Sequence, residues 1–519
     1  MTRFFIVLTL ALFTNTLFSQ TLETIDWGKY KTLEKNTRYK KTLGYNNDYM
    51  FVLRCNTTDE KTYWIDQVSL MNYEVESSSE ITLPNFLDNP TQYYDAFYKN
   101  DKLILFTIAN DKTNHKKRLF VQYLNTNGTL KNKPLEMGTI SSSNLPKDNF
   151  HITETADNKL MLFYHKTFSD YNQEPLTIKI INSNLQVERT ENIILPDKYV
   201  GNVVKILQIE PTTKNRVVIL ASITAKKGKK YVTRLATIIY WSRLQKFVEV
   251  PVKLSKGLPA RSMFTFNKEG NIIVAGFYAA KTSKIKDAFV GVYYRIIDPT
   301  QGKMIPSGEP KFYYYPIPKD MFLEMQEKYN GETSTQQFNF FPRSISLMDN
   351  GGFIFTAEQY FLTTREIVDP RSKKKTYIKY HHYNDIMLFG VDGSGKIKWL
   401  KKIDKDQYSI NDDGWYSSIA ILPFHDKVKI LYNDNPSNVR DDLLPDEVKQ
   451  LKNNIRLAPK GMATIATIFY DGATLKSPMF PDNDEDAVII PKIIYKKDGQ
   501  YFTIAQYRRD FKFGIFETE

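Results

Sequence analysis

Cysteine is almost absent from this chain of 519 residues, since Cys55 is the only one. An intramolecular disulfide is therefore excluded, and stability must come from a buried core. Cys55 closely follows the apolar run YMFVL, where a small, half-buried residue is expected rather than a nucleophile.

Long apolar segments are also rare. One stretch, Phe4–Phe13, follows Arg3 and precedes a polar break and the small residue Ser19. This layout is typical of a secretory signal peptide, so residues 1–19 are predicted to be cleaved off. The ending Phe-Ser-Gln resembles signal peptides of Gram-negative Bacteroidota. No later segment approaches the length of a membrane-spanning helix. We expect an exported chain with no transmembrane segment, located in the periplasm or at the cell surface.

Motifs that carry known chemistry are missing. No Ser-His-Asp order, phosphate loop or dinucleotide fingerprint lies in a suitable context. His381, His382 and His425 lack the spacing of metal ligands, and the first two alternate on a predicted strand, so they face opposite ways.

Acidic residues are in deficit. The formal net charge is +13, and removal of Arg3 with the signal peptide leaves about +12. For an exported protein this balance favours an acidic glycan, lipopolysaccharide or an envelope protein as partner, and we expect no nucleic acid.

Aromatic residues are plentiful, at 14% of the chain, which favours β-structure. The segment from Ser344 to Ile403 contains two hairpins, with turns at Asp349–Gly352 and Asp392–Gly395 between apolar runs. Two hairpins in series form a four-stranded antiparallel meander.

The same meander recurs along the chain. The last unit supplies three strands, whereas the segment Thr24–Glu34 is a strand with no hairpin partner. This pattern resembles the β-propeller superfold, in which the first strand completes the last blade. It implies an all-β fold with one domain over residues 20–519 and about eight four-stranded blades, with seven as the alternative. Two stacked sandwiches or barrels are a further alternative that leaves the spare strand unexplained. The segment DGSGKIKW resembles hairpins of quinoprotein and sialidase propellers, although no specific family is identified.

Two insertions carry helical patterns, near residues 317–330 and 444–455. The first lies in a long link from Pro306 to Phe340, which also contains the aromatic run Tyr313, Tyr314 and Tyr315, a candidate for partner binding.

Loops are predicted to sort onto two faces, with every long insertion on the face of the second-to-third loops and the links between units. Several of these loops are basic, and Lys227, Lys229, Lys373 and Lys374 are candidate partner-binding residues. The alternative is that they are solvated solubility devices.

Acidic links enter the same face. One contains Asp412 and Asp413 beside Trp415, a further candidate for partner binding, and another contains Asp482, Asp484 and Asp486. The second group could bind Ca²⁺ and either could supply paired carboxylates for glycan cleavage. We expect neither, and expect most of these carboxylates to be exposed and unpaired; no other cofactor is predicted.

Three functions remain open at this point. The favoured one is a non-enzymatic propeller that binds a protein or glycan at the bacterial envelope. The others are a glycan-active hydrolase or lyase with carboxylates at the central mouth, and a structural component of a secretion or surface-export assembly. The oligomeric state is not predicted.

Overall fold

The structure is a computed structural model. It describes residues 25–59, 61–86, 89–111, 113–141, 150–155, 159–164, 176–194, 199, 202–212, 216–228, 230–255, 257–280, 289–305, 313–328, 339–439, 448–454, 461–480, 487–497 and 499–517. The predicted signal peptide, residues 1–19, lies outside these ranges, as do Lys229, Asp482, Asp484 and Asp486.

The first half of the chain opens with two short strands, β1 (Ile25–Trp27) and β2 (Lys31–Thr32). Sheet 1 follows as β3 (Thr37–Tyr45), β4 (Tyr49–Asn56), β5 (Tyr63–Ser69) and β6 (Val75–Glu80). A small pair, β7 (Asn85–Phe86) and β8 (Asn89–Pro90), leads to sheet 2, which is β9 (Gln92–Lys99), β10 (Lys102–Asp111), β11 (Lys116–Leu124) and β12 (Leu135–Ser141). Sheet 3 is β13 (Phe150–Glu154), β14 (Leu160–Tyr164), β15 (Leu176–Ile181) and β16 (Val187–Ile193). Sheet 4 is β17 (Val203–Pro211), β18 (Arg216–Lys227), β19 (Lys230–Trp241) and β20 (Lys246–Pro251), with a 3₁₀ turn at Ser242–Leu244.

The second half continues the series. Sheet 5 is β21 (Leu258–Phe266), β22 (Ile272–Ala279), β23 (Phe289–Asp298) and β24 (Lys303–Ile305), with β25 (Tyr314–Pro316) also on β23. Helix α1 (Lys319–Lys328) precedes sheet 6, which is β26 (Phe340–Leu347), β27 (Phe353–Val368), β28 (Lys375–Val391) and β29 (Ile397–Ile410). Sheet 7 is β30 (Ala420–Pro423), β31 (Lys427–Asp434), β33 (Met462–Phe469) and β34 (Thr474–Pro478); β32 (Leu451–Asn454) joins sheet 6, and Pro436–Asn438 is a 3₁₀ turn. Sheet 8 is β35 (Val488–Ile489), β36 (Tyr495–Lys497), β37 (Gln500–Tyr507) and β38 (Asp510–Glu517), with a 3₁₀ turn at Pro491–Ile493.

The prediction of an all-β chain is confirmed, and the described residues contain eight sheets of four or more strands in chain order. Neighbouring strands within each meander pair antiparallel, which is the geometry that short hairpin turns impose. No helix in the described ranges is long and apolar enough to cross a membrane.

The N-terminal strand pairs with the C-terminal one, as predicted. Strand β1 is antiparallel to β38, with Trp27 opposite Gly514, and β2 pairs with the same strand. A side chain at Gly514 would collide with the Trp27 ring, because an added Cβ would lie 2.3 Å from it. The Trp27 ring also packs on Phe480 at a centroid distance of 5.3 Å.

The core lies between successive sheets. Each group of buried apolar residues bridges sheets that follow one another in the chain, from sheets 1 and 2 through to sheets 7 and 8. One further group joins sheet 8 to sheet 1, with Tyr39 against Phe511 and Phe513 at centroid distances of 4.8 and 5.2 Å. The last sheet therefore packs against the first.

The two predicted helical insertions have different outcomes. Helix α1 is present, and its buried Met325 belongs to the group of core residues shared by sheets 4, 5 and 6. The second prediction was wrong for its described part, because Leu451–Asn454 is a strand parallel to Gln407–Ile410. The side chain of Asn438 binds both the carbonyl and the amide of Lys449 and so holds the segment extended.

Loss of the side-chain contacts made by strand β1 should destabilise the folded protein. Trp27→Ala removes the contacts with Phe480 and Gly514, and for a half-buried Trp we expect a loss of about 2 kcal/mol in the free energy of unfolding. Lys29→Ala, in an exposed ion pair with Glu74, is the control and should cost under about 1 kcal/mol. Equal denaturation midpoints for the two variants would show that β1 is a loose terminus.

Candidate functional site

The acidic link between sheets 6 and 7 contains one buried and one exposed carboxylate. Asp412 is only 2% exposed and accepts a hydrogen bond from the amide of Gly414 at 2.9 Å, whereas the side chain of Asp413 is 81% exposed. The expectation of exposed, unpaired carboxylates therefore does not hold for Asp412. Burial raises the pKa of Asp412 above its usual range.

The second acidic link lies outside the described residues, so the Ca²⁺ prediction for Asp482, Asp484 and Asp486 stays a prediction. Within the described ranges no three His, Cys, Asp or Glu side chains are grouped to hold a metal ion.

The link is strongly bent where it passes the site. Asn411, Asp413 and Ser418 all have positive φ angles of 54°, 56° and 78°, a conformation that costs free energy for residues other than glycine. Gly414 also has a positive φ, of 68°, and an added Cβ there would lie 2.1 Å from the Tyr383 ring. The Tyr383 ring therefore packs directly against the link.

A buried ion pair fixes the base of the site. Glu358 on β27 and Lys405 on β29 are both fully buried, and Lys405 Nζ lies 2.8 Å from Glu358 Oε1. Arg343 Nη2 and Ser418 Oγ donate to the other carboxylate oxygen at 2.8 and 2.6 Å. Lys405 also donates to the Tyr383 carbonyl and to Gln407 Oε1, each at 3.0 Å.

The charge of Glu358 is stabilised by its neighbours. Burial alone would raise the pKa of Glu358, but the charges of Lys405 and Arg343 outweigh burial and lower it. The carboxylate therefore remains ionised and ties three strands of the site to Ser418.

Lys492 is exposed and contacts a group of ring side chains, of which Tyr360 is half-buried and Tyr383 and His381 are buried. Lys492 lies in the 3₁₀ turn Pro491–Ile493 between β35 and β36. Its Nζ donates to the Asp413 carbonyl at 2.6 Å and to the Tyr383 hydroxyl at 3.3 Å. The Tyr360 and Tyr383 rings are 4.7 Å apart. Lys492 is exposed, but the protein groups around its ammonium displace part of its water. This partial burial lowers the pKa of Lys492 to about 8.

His381 joins this group. Its Nδ1 is 3.3 Å from the Tyr360 hydroxyl and its Nε2 is 3.5 Å from Asp413 Oδ1. Burial lowers the pKa of His381, so the imidazole is neutral at neutral pH. Sequence reasoning considered only metal binding for His381 and therefore did not select it for this site.

Strands β27 and β28 continue past this group as an extended hairpin. Residues 364–377 are all exposed, and residues 361–382 contain six basic and two acidic residues. Phe361 to Val368 pair with Lys375 to His382, so side chains alternate between two faces.

One face of the extension leads to Lys492, and we call it the site face. It contains Tyr360, Leu362, Thr364, Glu366, Val368, Lys375, Tyr377, Lys379, His381 and Tyr383. The opposite face contains Thr363, Arg365, Ile367, Thr376, Ile378 and Tyr380 on the extension, and His382 packs there on Phe361 with a centroid distance of 4.4 Å.

The predicted partner-binding residues are divided by the structure. Lys373 and Lys374 are exposed at the tip of the extension. Lys227 ends β18 at a position opposite Lys230, and Lys229 lies outside the described residues.

The predicted aromatic residues are mostly in the core, which corrects their assignment as surface anchors. Tyr313 and Tyr314 are 5% and 6% exposed, and Tyr315 is half-buried. Trp415 is 7% exposed, and the guanidinium carbon of Arg38 lies over its ring, 4.7 Å from the centroid of the Trp415 ring. An aromatic residue in a link can fill the space between sheets as readily as it can face a ligand.

Loss of Lys405 should destabilise the site far more than loss of an exposed charge. Lys405→Met leaves the buried Glu358 carboxylate without its closest cation, and we expect a cost of about 3–5 kcal/mol in the free energy of unfolding. Glu358→Gln with Lys405→Met removes the stranded charge and should recover part of that cost. The measurement is chemical denaturation, and an additive double variant would contradict the pairing.

Comparison with known proteins gives weak similarity only. No protein-family model matches the sequence, and no curated protein matches it. Among solved structures, prolyl oligopeptidase B from Galerina marginata is similar at 8% identity and a TM-score of 0.39, over 91% of this chain and 56% of that chain. An alpha-L-arabinanase from Penicillium chrysogenum shares 9% identity with a TM-score of 0.32, over 74% of this chain and 98% of that chain. An ulvan lyase of polysaccharide lyase family PL25 shares 7% identity with a TM-score of 0.38, over 87% of this chain and 97% of that chain. Similarity at this level assigns no activity to the chain.

Proposed function

We propose that this chain is an exported, eight-bladed β-propeller that binds an acidic glycan at the bacterial envelope, along the site face of the β27–β28 extension. The proposal does not require catalysis. The sequence-based candidates Tyr313, Tyr314 and Trp415 are buried, so residues of the site face take their place as the proposed binding residues. The basic tip at Lys373 and Lys374 is retained from the sequence-based prediction.

The propeller arrangement is supported by the order of the sheets. Eight meanders follow one another, the core groups join each sheet to the next, and sheet 8 packs on sheet 1. Pairing of β1 with β38 covers an edge that would otherwise present unpaired backbone groups. Export is supported by the charged and apolar N-terminal segment alone.

The single observation that carries the binding proposal is the composition of the site face. Aromatic rings at Tyr377, Tyr360 and Tyr383 alternate along it with the cations Lys375 and Lys379, and it ends at Lys492. Lys375 is paired with Glu366 on the same face at 2.8 Å, whereas Lys379 and Lys492 lie nearer the inner end. Sugar rings pack on aromatic faces, and carboxylate or sulfate groups pair with cations. A linear acidic glycan presents both features at regular intervals.

The two faces of the extension provide a matched test. Tyr377→Ala with Lys379→Ala removes a ring and a charge from the site face and should weaken binding of mannuronate-rich alginate about tenfold. Arg365→Ala with Ile378→Ala removes one charge and one apolar side chain from the opposite face and should leave affinity nearly unchanged. Affinity electrophoresis in gels that contain alginate measures the affinity of both double variants, and gels that contain neutral dextran are the uncharged control.

Equal weakening by the two double variants would contradict the proposal, since net charge alone would then account for binding. Equal retardation by dextran would contradict the acidic specificity.

Binding should also depend on pH through Lys492. With a pKa of about 8, Lys492 is about 90% charged at pH 7 and about 10% charged at pH 9, so affinity for a polyanion should fall over this interval. The titratable and charged groups around it are Asp412, Asp413, Glu358, Arg343, His381 and Tyr383. Lys492→Arg should abolish the fall between pH 7 and 9, and a fall that persists in this variant would assign the effect to another group.

A further inference from the structure

Lys492 and Tyr383 form a hydrogen-bonded pair of an amine and a phenol at the inner end of the site face. Their Nζ and hydroxyl oxygen are 3.3 Å apart, and both bind the carbonyl of Asp413. The 3₁₀ turn that contains Lys492 is itself held, because the Thr42 hydroxyl donates to the Ile493 carbonyl at 3.2 Å. Both groups are thus positioned from opposite sides, one by sheet 6 and the other by sheet 8.

The described carboxylates are poorly arranged for glycoside hydrolysis. That reaction uses two carboxyl groups on either side of the glycosidic bond. Here Asp412 and Glu358 are buried, and Glu358 is already bound by Lys405, Arg343 and Ser418. Of the carboxylates of Asp412, Asp413 and Glu358, only that of Asp413 is exposed, so these three offer no pair. The other polar groups at the inner end of the site face are the exposed Lys492 amine and the phenol of Tyr383, a residue that is 7% exposed.

We propose that Lys492 and Tyr383 cleave a 4-linked uronate glycan by β-elimination. This inference rests on the acidic-glycan binding proposed above and adds an activity to it.

In this step the lone pair of neutral Lys492 takes the proton from C5 of the uronate. The C5–H electron pair forms the C4=C5 double bond, and the bond from C4 to the glycosidic oxygen breaks. Tyr383 gives its proton to that oxygen, which leaves as the hydroxyl of the departing sugar. Lys492 then returns its proton to the phenolate across their hydrogen bond. No oxidant, reductant or water is consumed.

The geometry also restricts the sugar. A base and an acid 3.3 Å apart must act on the same side of the ring. In glucuronate and mannuronate the C5 hydrogen and the C4 oxygen lie on the same side, whereas in galacturonate and guluronate they lie on opposite sides. The pair therefore fits glucuronate or mannuronate.

The electrostatics agree with these roles. Burial lowers the pKa of Lys492 to about 8, so a substantial fraction is neutral in mildly alkaline solution. Burial raises the pKa of Tyr383, which keeps the phenol protonated as a donor. The Arg343 guanidinium lies close enough to lower the pKa of both groups by its charge, and its side chain is 34% exposed, so it can pair with the uronate carboxylate.

The test uses the full chain with polymannuronate, and with polygalacturonate as the stereochemical control. Elimination is followed by the ultraviolet absorbance of the unsaturated uronate, and binding is measured in parallel by calorimetry. Lys492→Met and Tyr383→Phe should each lower turnover by at least ~100-fold, with dissociation constants changed by less than tenfold. Lys496→Met, an exposed lysine beside the Tyr501 ring, should retain turnover. Wild-type turnover should rise with pH through about 8 as Lys492 becomes neutral.

The outcomes separate the two proposals. Binding of polymannuronate without any unsaturated product overturns the elimination and leaves the binding proposal standing. New reducing ends without ultraviolet absorbance would assign hydrolysis and overturn it as well. Cleavage of polygalacturonate alone contradicts the same-side geometry, and absence of binding to either polymer overturns the proposed function itself.

Discussion

The ion pair between Glu358 and Lys405 holds the site together at a position with no access to water. Moving two charges out of water is costly, and only close pairing with additional hydrogen bonds offsets that cost. Arg343, Ser418 and Gln407 supply those bonds. Lys405 also binds the backbone of Tyr383, and Ser418 belongs to the bent link that contains Asp412 and Asp413. The pair thus fixes the positions of both sides of the candidate site.

The rest of the site follows from that anchor. With the link held at Ser418, the positive φ at Asp413 directs its carbonyl to Lys492, and Gly414 leaves room for the Tyr383 ring. The strain of the link is local, whereas the eight sheets supply a rigid support for it. Long strands in sheet 6 then extend the same alternation of side chains outward, so that one face of the hairpin is continuous with the buried cluster.

Much of the fold could be predicted from the sequence because hairpin turns are local signals. Asp349–Gly352 and Asp392–Gly395 define their strands within a few residues, and the spare N-terminal strand indicated its own partner. The segment at Leu451–Asn454 was misassigned because its conformation depends on Asn438 and on pairing with β29, neither of which a helical stripe reveals. Tertiary contacts override local pattern in such short segments.

The candidate site was largely beyond prediction. Asp412 and Asp413 were identified, yet only the fold shows that adjacent residues differ in burial. Glu358 and Lys405 are 47 residues apart, and a bulge between Glu358 and Tyr360 changes which side chains share a face. A charged residue inside an apolar run was the one available signal, and it applied to Glu358 alone, because Lys405 lies in a strand with several other charged residues.

The central claim is that a glycan lies along the site face and reaches Lys492. Hydrogen exchange of the full chain with and without a mannuronate oligosaccharide tests it most directly. The account predicts that backbone protection appears in residues 375–383 and 487–494, with little change in the loops of sheets 1 to 4. Protection confined to those other sheets, or none at a saturating ligand concentration, would contradict it.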